Sequence, residues 1–244
     1  MSVPYELSPQ KKNDYLSTAI EKRIPLVLSI KTEDGWRTYK SQFLRAGQDD
    51  RYLVLKYPTA TDHPVPEIVP GQNVGVSFRR GHKKCMFNTI THERCHCAID
   101  DKLVVPAFKL IAPTKMFELQ RRMFYRTPVP QDHAIDVEVW RQSDSSIAAR
   151  KAGHAVDLSA GGVSLEIDAA DSPRWKTNTP LRCIIRPTWA PERAVEATAQ
   201  FRHIETSDPS RVRLGLQFAG LEATEEGRNT LQNILDLTMD LQRL

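Results

Sequence analysis

Apolar and polar residues alternate with period two through most of this chain and recur at helical spacing only near its two ends. Successive side chains of a strand point to opposite sides, so this alternation, broken by short turns, predicts antiparallel sheet with one buried face. Near the start, Ser8 and Pro9 supply a capping hydroxyl and a proline at the first helical position. Tyr15, Leu16, Ala19 and Ile20 follow on one helical face, and the helix is predicted to end near Arg23, before Pro25. From there to residue 111 the pattern is β. Val74, Val76 and Phe78 alternate, and a turn follows at Arg79-Arg80-Gly81-His82. Cys85 and Phe87, then Cys95, Cys97 and Ile99, resume the alternation, and Leu103–Leu110 is a further apolar stretch.

Ala112-Pro113-Thr114-Lys115 reads as a linker into Met116–Arg126, a segment rich in glutamine and arginine. The prolines of Thr127-Pro128-Val129-Pro130 disfavour both helix and central strand there. Five alternating segments come next: Ile135/Val137/Val139, Val163/Leu165/Ile167, Leu181/Cys183/Ile185, Val195/Ala197/Ala199/Phe201 and Val212/Leu214/Leu216/Phe218. They predict a small antiparallel barrel or sandwich. The end is helical: Thr224 can cap, Glu225 and Glu226 suit the positive end of the dipole, and Leu231, Ile234, Leu235, Thr238 and Leu241 form a stripe.

Composition narrows the class. The chain has 244 residues, 40% hydrophobic and 26% charged, the profile of a soluble globular protein with room for two domains. It has no apolar run long enough to span a bilayer, and Met1–Lys11 has no secretory pattern, so the expected location is the cytoplasm. The four cysteines, Cys85, Cys95, Cys97 and Cys183, are expected as reduced thiols. Residues 1–111 carry 17 Lys and Arg against 12 Asp and Glu, and residues 112–244 carry 17 against 18. Neither half has the broad basic balance of a nucleic-acid-binding domain. An anion bound by the second half must therefore be held by a few local arginines.

Two motifs supply candidates. Arg121-Arg122-Met123-Phe124-Tyr125-Arg126 contains Arg-x-x-x-Arg from Arg122 to Arg126, and Asp157-Leu158-Ser159-Ala160-Gly161-Gly162 reads Asp-x-Ser-x-x-Gly. In this order, with an alternating β domain behind them, they resemble the PilZ domain over roughly residues 116–244. The resemblance implies a six-stranded β-barrel that binds cyclic di-GMP and is not an enzyme. Arg122 and Arg126 match its arginine pair, and Asp157, Ser159 and Gly162 match its second motif.

The chemistry suits that ligand. An arginine fork pairs bidentately with phosphate oxygens or with guanine O6 and N7, and its face stacks on a base. Asp157 can accept from guanine N1–H and N2–H₂, with Ser159 beside it. Gly161 and Gly162 are read as allowing a sharp turn and a close backbone approach. In the family, the position of Arg121 is associated with ligand stoichiometry, and its guanidinium implies an intercalated pair, two molecules per chain.

An N-terminal β domain joined to a PilZ domain resembles the flagellar brake family, whose first domain resembles a PilZ barrel without the ligand motifs. Residues 1–111 lack both motifs. The expected fold is mainly β: two antiparallel barrels in tandem with a short N-terminal and a C-terminal helix. The expected domains are 1–111, a linker or switch segment 112–121, and a PilZ domain 122–244. The resemblance implies that ligand binding rearranges the domains and changes the surface shown to a flagellar motor, stator or switch protein at the basal body. A homodimer whose state depends on ligand is also expected; exopolysaccharide control or another non-flagellar output is the alternative.

Other readings rest on single clusters. His82, Cys85, His92, Cys95, His96 and Cys97 crowd together with zinc-like spacings, but the cysteines share strand phase with Phe87 and Ile99, so inward packing is preferred over a metal. His154 precedes Asp157 by three residues, a spacing that places strand residues on opposite faces and argues against a catalytic pair. No nucleophile elbow, phosphate-binding loop or dinucleotide fingerprint occurs. A single-strand-binding barrel is disfavoured by the charge of the second half, and Trp140, Trp175 and Trp189 are read as packing residues. The basic turn Arg79–Lys84 is a candidate contact for an acidic patch, with a solvated hairpin tip the preferred reading.

Overall fold

The computed structural model describes residues 5–47, 51–59, 64–81, 83–120, 126–144 and 146–243. The chain divides into two compact units: residues 1–31, 38–121 and 222–225 form the first, and residues 32–37, 122–221 and 226–244 the second.

In the first unit the predicted helix is α1, Pro9–Glu21, with the Ser8 side chain accepting from the Lys11 amide. Its buried residues Tyr15, Leu16 and Ala19 join the core. Two short strands, β1 (Tyr5–Glu6) and β8 (Phe117–Gln120), pair with each other. The remaining strands are β2 (Pro25–Thr32), β3 (Gly35–Ala46), β4 (Tyr52–Lys56), β5 (Asn73–Arg80), β6 (Lys83–Ala98) and β7 (Val104–Ile111). They run β2-β3-β4-β7-β6-β5, and the pairing of β5 with β2 closes the ring. The 16-residue β6 makes closure possible, pairing with β5 along its first half and with β7 along its second. Val74, Val76, Phe78, Cys85 and Phe87, predicted to point inward, are buried in this core.

The stretch after β7, expected as linker, is fastened to the first unit. The Ala112 amide donates to the Arg51 carbonyl, the Leu7 amide donates to the Met116 carbonyl, and Met116 is buried. β8 adds to the edge of β6, with Lys83 opposite Gln120 and Met86 opposite Phe117.

The second unit repeats the plan. Its strands are β9 (Thr127–Pro128), β10 (Ile135–Arg141), β11 (Lys151–Ser159), β12 (Gly162–Asp168), β13 (Pro180–Pro187), β14 (Val195–Asp208) and β15 (Arg211–Phe218). The order β10-β13-β14-β15-β12-β11 closes through β10–β11 pairing, giving a six-stranded antiparallel barrel. Read in the other direction, this ring connects its strands in the same cyclic order as the first. All seventeen apolar residues of the five predicted alternating segments are buried. Burying each large aliphatic among them stabilises the fold by about 1.5–3 kcal/mol. The closing helix α2, Glu225–Leu241, buries the predicted Leu231, Ile234, Leu235, Thr238 and Leu241, with Leu237 added. Its C-terminal end is tied down by Arg193 donating to Asp240 at 2.6 Å and by Gln242 donating to Thr127 at 3.1 Å.

Candidate ligand-binding site

Strand β11, which closes the second barrel against β10, carries the second motif as far as Ser159. Its pairing with β12 slips between Ala155 and Asp157: His154 lies opposite Glu166, Ala155 opposite Leu165, and Asp157 opposite Ser164. Val156 is the extra residue of a β-bulge. Ala155 and Leu158 therefore point into the core, while Asp157 points outward.

The bulge also corrects the expectation for His154. Glu166 and Ser164 are two residues apart on one face of β12, so their partners His154 and Asp157 share the outer face rather than opposing each other. They still form no pair. The His154 Nδ1 lies 2.9 Å from Asp136, its neighbour across β10–β11, in an exposed cross-strand contact.

Beside β11 runs β9, with Pro128 opposite Asp157 and Thr127 opposite Leu158. This two-residue strand accommodates Pro128 in so short a pairing. It delivers Arg126 to the motif: Arg126 Nη1 stands 3.5 Å from Asp157 Oδ1, an ion-pair distance longer than a hydrogen bond. The Asp157 Oδ1 is buried and has no hydrogen-bond partner among the described residues. Burial pushes the Asp157 carboxyl above its ordinary value, against the opposing pull of Arg126, Arg213 and His203.

Ser159 and Gly162 close the turn into β12. The Ser159 hydroxyl donates to the Gly162 carbonyl at 3.2 Å and accepts from the Gly161 amide at 3.3 Å. The hydroxyl thus shapes the turn that presents Asp157. Gly162 is required for packing: a Cβ there would lie 2.1 Å from the Leu216 carbonyl oxygen of β15. The chain does turn sharply here, in two residues between the paired Ser159 and Gly162, although neither Gly161 nor Gly162 is among the residues with positive φ. Arg121 and Arg122 lie outside the described residues.

Two further residues of this face escaped the sequence reading. Arg213, opposite Glu166, donates to it at 3.1 Å, while its buried Nε has no partner among the described residues. His203 lies opposite Gly215, with Nε2 3.5 Å from Glu205. The available signal was phase: Arg213 alternates with the inward Val212 and Leu214. For His203, a second bulge between Phe201 and His203 hid it.

The cysteines and tryptophans of the rival clusters take part in packing. Cys85 is fully buried in the first core, its thiol pushed up to about 12 by burial. Cys97 packs with Leu44, Val54 and Ala107, joined by the half-buried Cys95. His92 stacks on Tyr52 at 4.5 Å, and His82 lies outside the described residues. No three potential metal-ligating groups gather among the described residues. Arg150 lies over Trp140, while Trp175 and Trp189 meet Phe201 and His133 edge to face. In the basic turn, Arg80 lies over the Tyr15 ring at 3.9 Å and Lys83 donates to Glu118 at 2.6 Å.

Comparison with known families agrees with this geometry. The model described as PilZ domain matches residues 120–237, and the one described as flagellar protein YcgR matches residues 25–100. Residues 120–237 belong to the PilZ-domain family. Among solved structures, this PilZ-domain protein resembles K. pneumonia MrkH in its apo state, with 15% identity and a TM-score of 0.54, over 100% of this chain and 96% of that one. E. coli YcgR in complex with c-di-GMP is 18% identical with a TM-score of 0.36, covering 97% and 93% of the two chains. B. subtilis MotI/DgrA, described as an inhibitor of motility, is 22% identical with a TM-score of 0.36, covering 90% and 96%. No curated protein matches the sequence. The MrkH likeness concerns the fold.

Proposed function

We propose that this protein is a cyclic di-GMP receptor whose second barrel holds the ligand with Arg121, Arg122, Arg126, Asp157, Ser159 and Gly162. PilZ-domain proteins are ligand-binding receptors rather than enzymes. The observation that carries the reading is the buried Asp157 Oδ1, which has no hydrogen-bond donor among the described residues although an arginine stands 3.5 Å away. A buried carboxylate oxygen without a donor is costly, and the guanine N1–H and N2–H₂ pair supplies the missing donors. Arg126 then turns to phosphate or to guanine O6 and N7, with Arg122 as its partner.

The output is regulation of flagellar motility through a motor or stator protein, a reading supported by the YcgR-type match over residues 25–100. Binding shifts the arrangement of the two units, driven by the ligand's differential affinity for the two arrangements. Calorimetric titration with cyclic di-GMP tests the receptor reading, with saturable binding expected for the parent and a loss of about tenfold or more for Arg126→Ala and Asp157→Ala. Equal binding by all three would refute the assignment. Two ligands per chain are expected, and a stoichiometry of one would remove the intercalated pair. Retention of purified motor proteins only in the presence of ligand tests the output, and ligand-independent or absent retention would contradict it.

A further inference from the structure

Across the outer face of the second barrel, one row of residues links four strands: Asp157 on β11, Ser164 on β12, Gly215 on β15 and His203 on β14. Asp157 and His203 stand at its ends. Between them lie a small buried serine and a glycine, which make a low floor about two strand spacings wide, roughly 10 Å from Asp157 to Gly215.

The His203 ring is laid over this floor. A Cβ built on Gly215 would meet His203 Cε1 at 2.3 Å and both ring nitrogens at 2.7 Å. Equal distances to the two nitrogens, only slightly longer than to the carbon between them, put that position above the ring face at Cε1. An edge-on approach would leave the nitrogens much farther away. One face of the imidazole therefore covers Gly215, and an edge is held by Glu205 at 3.5 Å. The side chain remains 42% exposed, so the opposite face is turned outward. Any side chain at position 215 would displace the ring.

We propose that His203 is an aromatic platform on which a purine base of the bound dinucleotide stacks. A base whose edge is held at Asp157 extends along the row toward the outward face of the imidazole that covers Gly215. A flat ring with one face backed by the barrel and the other open is pre-organised for stacking, so little ordering is left for the ligand to impose. This inference rests on the cyclic di-GMP reading above.

The test is titration of cyclic di-GMP into the full chain and into His203→Ala, His203→Phe and Asp157→Ala, with unfolding midpoints measured in parallel. The expected result is a loss of about fivefold or more in His203→Ala, the scale of one removed base-stacking side chain. His203→Phe, which keeps a flat ring but neither nitrogen, is expected within about twofold of the parent by the same stacking argument. Two results overturn the platform: parent-like affinity in His203→Ala, or His203→Phe as weak as His203→Ala while both fold as the parent does. If the parent itself shows no binding, the cyclic di-GMP reading fails first and the platform fails with it. Binding lost in Asp157→Ala but unchanged in His203→Ala separates the two, sinking the platform alone.

Discussion

Asp157 is held in a state that costs stability, with a buried oxygen and a raised carboxyl. Burial raises its folded-state pKa, so its carboxyl contributes most to stability below its unfolded value, and that contribution is lost as pH rises through the folded value. Asp157→Asn is therefore expected to keep or raise the unfolding midpoint near neutral pH while losing cyclic di-GMP binding; a lowered midpoint with retained binding would contradict this. The ligand's donors require the ionised carboxylate. Affinity should fall as pH drops through the raised value, starting above the ordinary aspartate value of about 4, and Asp157→Asn should lack that dependence. Gly162 has the opposite character. Its hydrogen is all that fits against the Leu216 carbonyl, so Gly162→Ala should cost about 1–3 kcal/mol by denaturant titration. An unchanged midpoint there would show that β12 can move off β15.

At the level of elements, β8 and β11 show where sequence patterns lead and where they fail. The five alternating segments were legible because their buried apolar side chains fall two residues apart. β11 was not, since its bulge at Val156 shifts the phase between Ala155 and Leu158 and leaves the first half polar. The Asp-x-Ser-x-x-Gly motif was legible as chemistry, but the strand that aims it was not. β8 was hidden for a different reason: its pairing with β6 is long-range, and its buried acid looks exposed in sequence. Burial pushes the Glu118 carboxyl up, but donation from Lys83 at 2.6 Å and from Tyr15 at 2.8 Å outweighs it and holds the group below its ordinary value. A depressed value contributes stability above the unfolded pKa that is lost as pH falls through the folded one. Glu118→Gln should thus lower stability at neutral pH by about 1–3 kcal/mol, and its stability should change less than the parent's on acidification. Identical acid profiles would remove Glu118 as the anchor of the segment that leads to the arginines.

On the scale of the whole molecule, one barrel plan is used twice, with the same cyclic strand connectivity in both units. The chemistry is present only once. The connection that carries Asp157–Gly162 in the second barrel joins its second and third strands; the corresponding connection in the first, between β3 and β4, reads Gly47-Gln48-Asp49-Asp50-Arg51 and has no such motif. On the proposed reading function divides accordingly, with the ligand on the second barrel and the first free to serve as the output surface. In the proposed receptor the Arg-x-x-x-Arg segment and the bulged strand β11 form one anion and guanine site. The most direct measurement is an equilibrium titration of the full chain with cyclic di-GMP, repeated on Arg122→Ala and Asp157→Ala. Saturable binding by the parent, weakened about tenfold or more by each substitution with folding intact, is the predicted result. No saturable binding by the folded parent, or binding indifferent to both substitutions, would contradict it.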